Sequence, residues 1–307
     1  MKEIHFAALA SLCAGALAIA FAPVLARLAV LVDGGDGAAV PLSPVGSAFW
    51  RTALAAPVFW GMVLLHQRRS PDSPPLAAQL RAAGSVLVLP GLFFAADLGC
   101  WHWAFEYTTV GNATLEANLG AVLVSLVGWL WFRERLTLLF PVGVLIALGG
   151  MTGLIGFDAS TDPLRLRGDL LGLATACCYA GYLVFTKILT SRMGVALAMA
   201  VSTTVCSLAL LLAGLAGTRP MVPADTGAWV YLVLLALGPQ VLGQGLIARG
   251  LDRLPASFSA VTLLLQPVLT YGLGWLILDQ PLTPVEMLWS LTVIAGIFLA
   301  QRSSRPG

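Results

Sequence analysis

The stretch LGAVLVSLVGWLWFRERLT, residues 119–137, has a second copy in LQPVLTYGLGWLILDQPLT, residues 265–283. The tripeptide Gly128-Trp129-Leu130 falls opposite Gly274-Trp275-Leu276 when the sequence is shifted by 146 residues. One register holds across both stretches without a gap. Because Trp and Gly coincide in that register, the two stretches are predicted to be copies of one structural unit.

The repeated stretches belong to a chain in which ten segments are almost entirely apolar. Each segment can cross a bilayer as a helix, because ~30 Å of hydrocarbon at ~1.5 Å per residue requires about 20 residues. The segments run approximately over residues 6–30, 46–66, 82–105, 109–132, 137–157, 169–190, 194–216, 227–249, 256–278 and 283–302. The first segment also resembles a signal peptide, with Ala18-Ile19-Ala20 as a cleavage-like site, but its apolar run continues past that site.

Composition supports a membrane protein. Only 10% of the residues are charged and 58% are hydrophobic, whereas soluble domains are about 25% charged. A net charge of +2 provides no basic surface for nucleic acid. We therefore exclude a soluble enzyme, a disordered chain and a nucleic-acid partner. Strands with alternating polarity are missing, so we predict an all-α integral membrane protein with the lipid bilayer as its surroundings.

The repeat divides the chain into two halves of five helices each, residues 1–157 and residues 158–307. Since five is odd, the second half begins on the opposite side of the membrane, and the two five-helix repeats are inverted. Inverted repeats are typical of secondary transporters, in which two similar bundles rock about a site at their interface.

The distribution of basic residues predicts the orientation. Twelve Lys and Arg residues lie on the side of the N-terminus, and the loops on the other side contain three. Positive residues are concentrated in cytoplasmic loops. We expect a multi-pass protein of the inner (plasma) membrane with its N- and C-termini in the cytoplasm.

Four local motifs add to this pattern, and two of them lie outside the repeated stretches. Gly111-Asn112-Ala113-Thr114-Leu115 opens the fourth segment, residues 128–137 close it, residues 168–173 (GDLLGL) open the sixth, and Gln266-Pro267-Val268 lies in the ninth. With these motifs the chain resembles the drug/metabolite transporter superfamily in its EamA-type, ten-helix branch. The resemblance covers nearly the whole chain.

The resemblance implies a substrate cavity between the halves, with the fifth and tenth helices at the periphery. Family members move amino acids, nucleosides, sugar phosphates, quaternary amines and drugs, mostly as exporters. This chain departs from the family pattern in the fourth helix. Ala121 stands where family members usually have Pro, and Glu116 stands where they have an apolar residue. In the ninth helix, Pro267 keeps the proline.

Two carboxylates, Asp97 and Glu116, lie well inside apolar segments. A charge at the bilayer centre costs at least ~2.5 kcal/mol, so both side chains are expected to face the bundle interior. At ~1.5 Å per residue they lie at similar depths, about 12 Å and about 10 Å from their helix ends. We predict that one of them binds a proton or a cationic substrate. The alternatives are a protonated carboxyl bonded to a neighbouring helix and a charge balanced by Arg51.

Arg51 lies roughly 7 Å inside the second segment. Its planar guanidinium could hold a substrate carboxylate as a fixed fork, or pair with Asp97 or Glu116. The alternative is that its long side chain extends to the outer interface.

Neutral polar and aromatic side chains complete the predicted substrate site. Gln240 and Gln244 are four residues apart and share a helix face. Gln266 precedes Pro267, which frees a backbone carbonyl inside a helix. The other candidates are Asn112, Tyr179 and Tyr182. Hydrogen bonds between helices, worth ~0.6 kcal/mol each, are the alternative for the polar groups, and core packing is the alternative for the tyrosines.

These observations predict a secondary active transporter. We expect export of a small polar metabolite such as an amino acid, amine or drug-like compound by alternating access, with protons as the candidate coupling ion. An intramembrane enzyme and a channel or receptor are the alternatives. Protease, lipase and ATP-binding motifs are absent from the sequence. We expect no cofactor and no metal, and both a monomer and a homodimer remain open.

Overall fold

The computed structural model describes residues 2–34, 41–70, 73–104, 107, 116–133, 137–155, 163–278 and 284–303. Within these ranges the regular structure is helical. The helices are α1 (Lys2–Ala20 and Ala22–Asp33), α2 (Pro44–Arg69), α3 (Leu76–Val86 and Leu89–Ala104), α4 (Glu116–Leu130), α5 (Leu139–Ile155), α6 (Pro163–Met193), α7 (Val195–Leu215), α8 (Thr226–Arg253), α9 (Ala256–Leu263 and Leu265–Leu278) and α10 (Pro284–Ser303).

Five of these helices, α1, α2, α6, α7 and α8, are long and apolar enough to cross a membrane. The two parts of α3 meet at an angle of 61° and pass the same test together. The remaining four are shorter apolar helices. The prediction of an all-α membrane protein with ten apolar helices is confirmed.

The packing of the helices has the symmetry expected of two related halves, α1–α5 and α6–α10. Helix α1 packs on α8, and α3 packs on α6. Exchanging the halves converts one of these pairs into the other. The pairs α2–α7, α4–α9 and α5–α10 also pack together. Each of these pairs joins equivalent helices of the two halves, so exchanging the halves leaves the pair unchanged. The predicted boundary between residues 157 and 158 lies outside the described residues and stays a prediction.

Small residues bring α5 and α10 into close contact. A Cβ added at Gly143 would lie 2.5 Å from the Ala300 nitrogen, and one at Gly296 would lie 2.7 Å from the Gly143 oxygen. Such positions accept only glycine and let helix backbones approach closely. The outer faces of this pair expose large apolar side chains, including Leu145 and Leu291. These faces suit contact with lipid.

Several helices are interrupted near the middle of the bundle. Helix α1 has a turn at Phe21, α9 has one at Leu264, and α8 winds as a π-helix over Ala236–Gln244 around Pro239. Helix α4 is interrupted at Leu119, where the Val122 N–H donates to the Leu119 carbonyl at 3.0 Å.

The interruption in α4 occurs without the proline that the resemblance leads one to expect at Ala121. A Cβ at the adjacent Gly120 would lie 2.9 Å from the Ala176 carbonyl oxygen of α6. Close contact with α6 therefore accompanies the turn in α4, whereas Pro267 removes a backbone donor in α9. Both halves carry an interrupted helix at equivalent positions.

Candidate functional site

The interrupted helices surround a cavity of about 90 Å³. Its walls come from α1, α2, α3 and α4 of the first half and from α6, α8 and α9 of the second. The lining residues are Ile19, Ala20, Ala22, Pro23, Arg51, Phe94, Asp97, Leu98, Trp101, Ala117, Asn118, Thr175, Tyr179, Gln244, Gln266 and Thr270. Helices α5 and α10 contribute none of these lining residues, in keeping with a peripheral position.

Arg51 is buried, with 3% of its surface exposed, and it lines the cavity. Its Nε–H donates to Gln240 Oε1 at 3.0 Å, and its guanidinium carbon lies 5.8 Å from the centre of the Phe94 ring. Within the described part of the chain, the guanidinium forms no other hydrogen bond. Since arginine carries five N–H donors and keeps its proton in proteins, a fixed cation with unused donors faces the cavity.

Asp97 of α3 lines the same cavity and is 6% exposed. Two opposite charges thus share one small, largely apolar space. The sequence analysis gave pairing of Arg51 with Asp97 or Glu116 as one alternative, and the structure places Arg51 and Asp97 at the same cavity.

Gln240 and Gln244 both lie in the π-helical part of α8. Gln240 is fully buried and positions Arg51, but it is absent from the cavity lining. Gln244 lines the cavity and accepts a hydrogen bond from the Tyr182 hydroxyl at 3.1 Å. Tyr182 is itself 1% exposed and stacks on Phe94, with ring centres 4.3 Å apart. Tyr182 therefore contacts two lining residues, Gln244 and Phe94, without lining the cavity itself.

Two side chain amides retain unused donors. Gln266 Nε2 and Gln240 Nε2 are both buried, and neither has a hydrogen-bond partner among the described residues. Gln266 lines the cavity beside Tyr179. A buried amide donor without a partner costs about 1–3 kcal/mol, so an acceptor bound in the cavity would relieve that cost.

Glu116 lies elsewhere. It is absent from the cavity lining and packs against α6 at Gly172, where an added Cβ would overlap its carboxylate. The adjacent Ala117 and Asn118 of α4 line the cavity. Of the two candidate carboxylates, Asp97 lines the cavity and Glu116 does not, and the proton-binding role given to them stays a prediction. Asn112, also predicted as a substrate ligand, lies outside the described residues.

The cavity also contains residues that were not predicted as site residues from the sequence: Phe94, Trp101, Thr175 and Thr270. Helical spacing was the available signal, because side chains three or four residues apart share a face. Phe94 and Trp101 stand three before and four after Asp97. Thr175 stands four before Tyr179.

Hydrogen bonds join the halves at one end of the bundle. The Asp33 carboxylate at the end of α1 accepts the N–H groups of Leu42 at 2.8 Å and Asp225 at 2.9 Å. The Trp50 indole donates to the Met221 carbonyl at 2.7 Å. These bonds tie the beginnings of α2 and α8 to the end of α1.

Comparison with known proteins gives a consistent family assignment. The model of the EamA-like transporter family matches residues 2–156 and 166–301, which are most of both halves. An uncharacterized transporter of Bacillus subtilis, YetK, is 25% identical over 65% of this chain, and the match covers 62% of that protein. A Salmonella typhimurium protein named as a probable amino-acid metabolite efflux pump is 24% identical, over 80% of this chain and 92% of its own length.

A solved structure shares the fold. It is a crystal structure, and it superimposes on this chain with a TM-score of 0.71 at 19% sequence identity. The superposition covers 99% of this chain and 98% of the other. The family model, the relatives and the paired packing of ten apolar helices agree. The chain belongs to the EamA-like transporter family.

Proposed function

We propose that this transporter exports a small polar metabolite by alternating access. The observation that carries the proposal is the pair of buried opposite charges, Arg51 and Asp97, in one cavity walled by helices of both halves. In a transporter with inverted repeats, rocking of one half against the other exposes such a site to each side in turn. One relative is named as a probable amino-acid metabolite efflux pump, which supports export of a metabolite of that kind.

The interrupted helices supply the rest of the site. A turn in a helix leaves backbone groups available to a ligand where the helix lines a cavity. The turns at Phe21 and Leu119 and the π-helical part of α8 adjoin lining residues. The cavity therefore combines charged, amide and backbone groups with apolar walls, as a site for a polar metabolite requires.

Protons are the coupling ion in this proposal, and Asp97 is the group that binds them. Asp97 lines the cavity, whereas Glu116 does not. A carboxylate that binds either a proton or the substrate links the two events, because occupancy by one excludes the other. Proton uptake on the outside and release on the inside would then drive export by antiport.

We further propose that the protein lies in the inner membrane with both termini in the cytoplasm. The excess of Lys and Arg on the predicted N-terminal side supports this orientation. The bonds of Asp33 would then close the periplasmic end of the cavity. A reporter fused after residue 307 should be active only in the cytoplasm, and activity only in the periplasm would contradict the orientation.

Counterflow in proteoliposomes tests the transport proposal. Vesicles are loaded with a high concentration of an unlabelled solute, and uptake of the same labelled solute is followed for amino acids, amines and nucleosides. Alternating access predicts transient accumulation of label for at least one solute class. Flux without exchange would indicate a channel, and the absence of both would contradict the proposal.

A further inference from the structure

We infer that the cavity recognises a zwitterion, with Arg51 binding the carboxylate of the substrate and Asp97 binding its ammonium group. The inference rests on the proposed transport function and specifies its substrate class. Both side chains line the cavity, and each is more than nine-tenths buried. An α-amino acid carries the two complementary charges on neighbouring atoms.

Charge balance is the first argument. Arg51 and Asp97 together have a net charge of zero, and the cavity that they share is small and mostly apolar. An anionic or cationic substrate would leave one uncompensated charge in this space, and a buried charge without a partner is strongly unfavourable. A zwitterion keeps the occupied cavity neutral and pairs both charges.

The distribution of donors is the second argument. The Arg51 Nε–H donates to Gln240 Oε1, and the other N–H groups of the guanidinium have no acceptor among the described residues. Gln266 Nε2 lines the same cavity and likewise lacks a partner within the described ranges. A carboxylate is the acceptor that matches a guanidinium fork and an adjacent amide.

Asp97 supplies the acceptor for the other end of the substrate. Among the described lining residues it is the one with a carboxylate. An ammonium group has three donors and no acceptor, so it suits a carboxylate and not the amide and guanidinium donors. The same competition for Asp97 lets a proton displace the ammonium group.

The cavity walls restrict the remainder of the substrate. Ile19, Leu98, Phe94 and Trp101 provide apolar surface around the two charges. These walls favour an amino acid with an apolar side chain over a nucleoside or a sugar phosphate.

Ligand analogues test the inference on the wild-type protein in lipid nanodiscs. The probes are L-alanine and L-leucine as zwitterions, their methyl esters as cations and their N-acetyl derivatives as anions. Binding is measured by isothermal titration calorimetry. We expect at least one amino acid to bind at least tenfold more tightly than both of its singly charged analogues. Equal binding of either analogue, or no binding of either amino acid, would overturn the inference.

Two variants test which side chain binds which charged group of the substrate. Asp97→Asn should reduce the preference for the zwitterion over the N-acetyl anion to less than twofold, because Arg51 then favours an anion. Arg51→Gln should remove the preference over the methyl ester in the same way. A merely structural role would weaken all three ligand forms equally. Arg27→Gln and Asp252→Asn, which change exposed residues of the same types, should leave the preferences unchanged.

Counterflow with the same probes separates this inference from the proposed function. Exchange of esters or N-acetyl derivatives without exchange of either amino acid would keep the transporter and overturn the zwitterion site. Binding of an amino acid in nanodiscs without exchange of any solute would support the site and contradict transport.

Discussion

Replacing Gln240 by leucine tests whether this residue exists to position Arg51. Gln240 is fully buried, and its Oε1 accepts the Arg51 Nε–H at 3.0 Å while its Nε2 has no partner among the described residues. Leucine is of similar size and removes both polar atoms. The variant therefore isolates the contribution of one amide.

Two opposing effects set the change in stability. Loss of a hydrogen bond to a charged group destabilises by about 1.5–3 kcal/mol. Removal of a buried, unpartnered amide N–H stabilises by about 1–3 kcal/mol. The two effects nearly cancel, so Gln240→Leu should change the free energy of unfolding by about 1 kcal/mol or less.

Ligand affinity should respond far more strongly. Without its acceptor on α8, the guanidinium of Arg51 is no longer held in one orientation, and a carboxylate can no longer meet a fixed pair of donors. We expect the dissociation constant for the amino acid that binds most tightly to rise at least tenfold, which corresponds to about 1.4 kcal/mol.

Thermal unfolding in detergent measures the stability, and calorimetric binding in nanodiscs measures the affinity. Gln79→Leu is the matched control, because Gln79 is a partly exposed glutamine whose Nε2 donates to the Pro74 carbonyl. A loss of stability above about 3 kcal/mol with unchanged affinity would refute the reasoning and assign Gln240 a structural role.

Three further variants test other parts of the account. Tyr182→Phe removes the hydroxyl that donates to Gln244, and thermal unfolding should show a loss of about 1 kcal/mol. Gly143→Leu should destabilise by more than 1 kcal/mol because its side chain meets the α10 backbone, whereas Gly149→Ala has open space and should unfold like the wild type. Asp33→Ala removes the acceptor of two backbone N–H groups and should increase hydrogen exchange at the Leu42 and Asp225 amides, while unchanged exchange would contradict a closing role.

The number and order of the helices follow from the sequence because membrane thickness fixes the length of an apolar segment. The inverted halves follow from the repeat and from an odd number of helices. The interruption in α4 could not be predicted in this way. It lies at Leu119 without a proline, next to a contact between Gly120 and the α6 backbone, and that contact depends on a helix more than 50 residues away.

The candidate site shows a second feature that the sequence does not predict, which is the direction of a side chain. Counting residues from helix ends estimates how deep Asp97 and Glu116 lie, but it does not tell which way each side chain points. Successive residues in a helix are about 100° apart, so Glu116 and Asn118 are separated by about 200°. Since Asn118 lines the cavity, Glu116 faces away from it toward Gly172.

Contacts between helices that are distant in the sequence could not be predicted either. Gln240 was selected as a substrate ligand because it shares a helix face with Gln244. In the structure its partner is Arg51, 189 residues away in the other half. The roles assigned to these residues remain predictions until binding is measured.

The central claim is that substrate and proton compete for Asp97 in one cavity that opens to each side in turn. Its most direct test compares ΔpH-driven transport with exchange at equal pH, using wild-type protein and Asp97→Asn in the same proteoliposomes. Asparagine keeps the shape and removes the titration. We predict that Asp97→Asn loses acceleration by ΔpH and retains substrate exchange, at reduced affinity. Wild-type dependence on ΔpH in Asp97→Asn, or its loss in Glu116→Gln instead, would contradict the account.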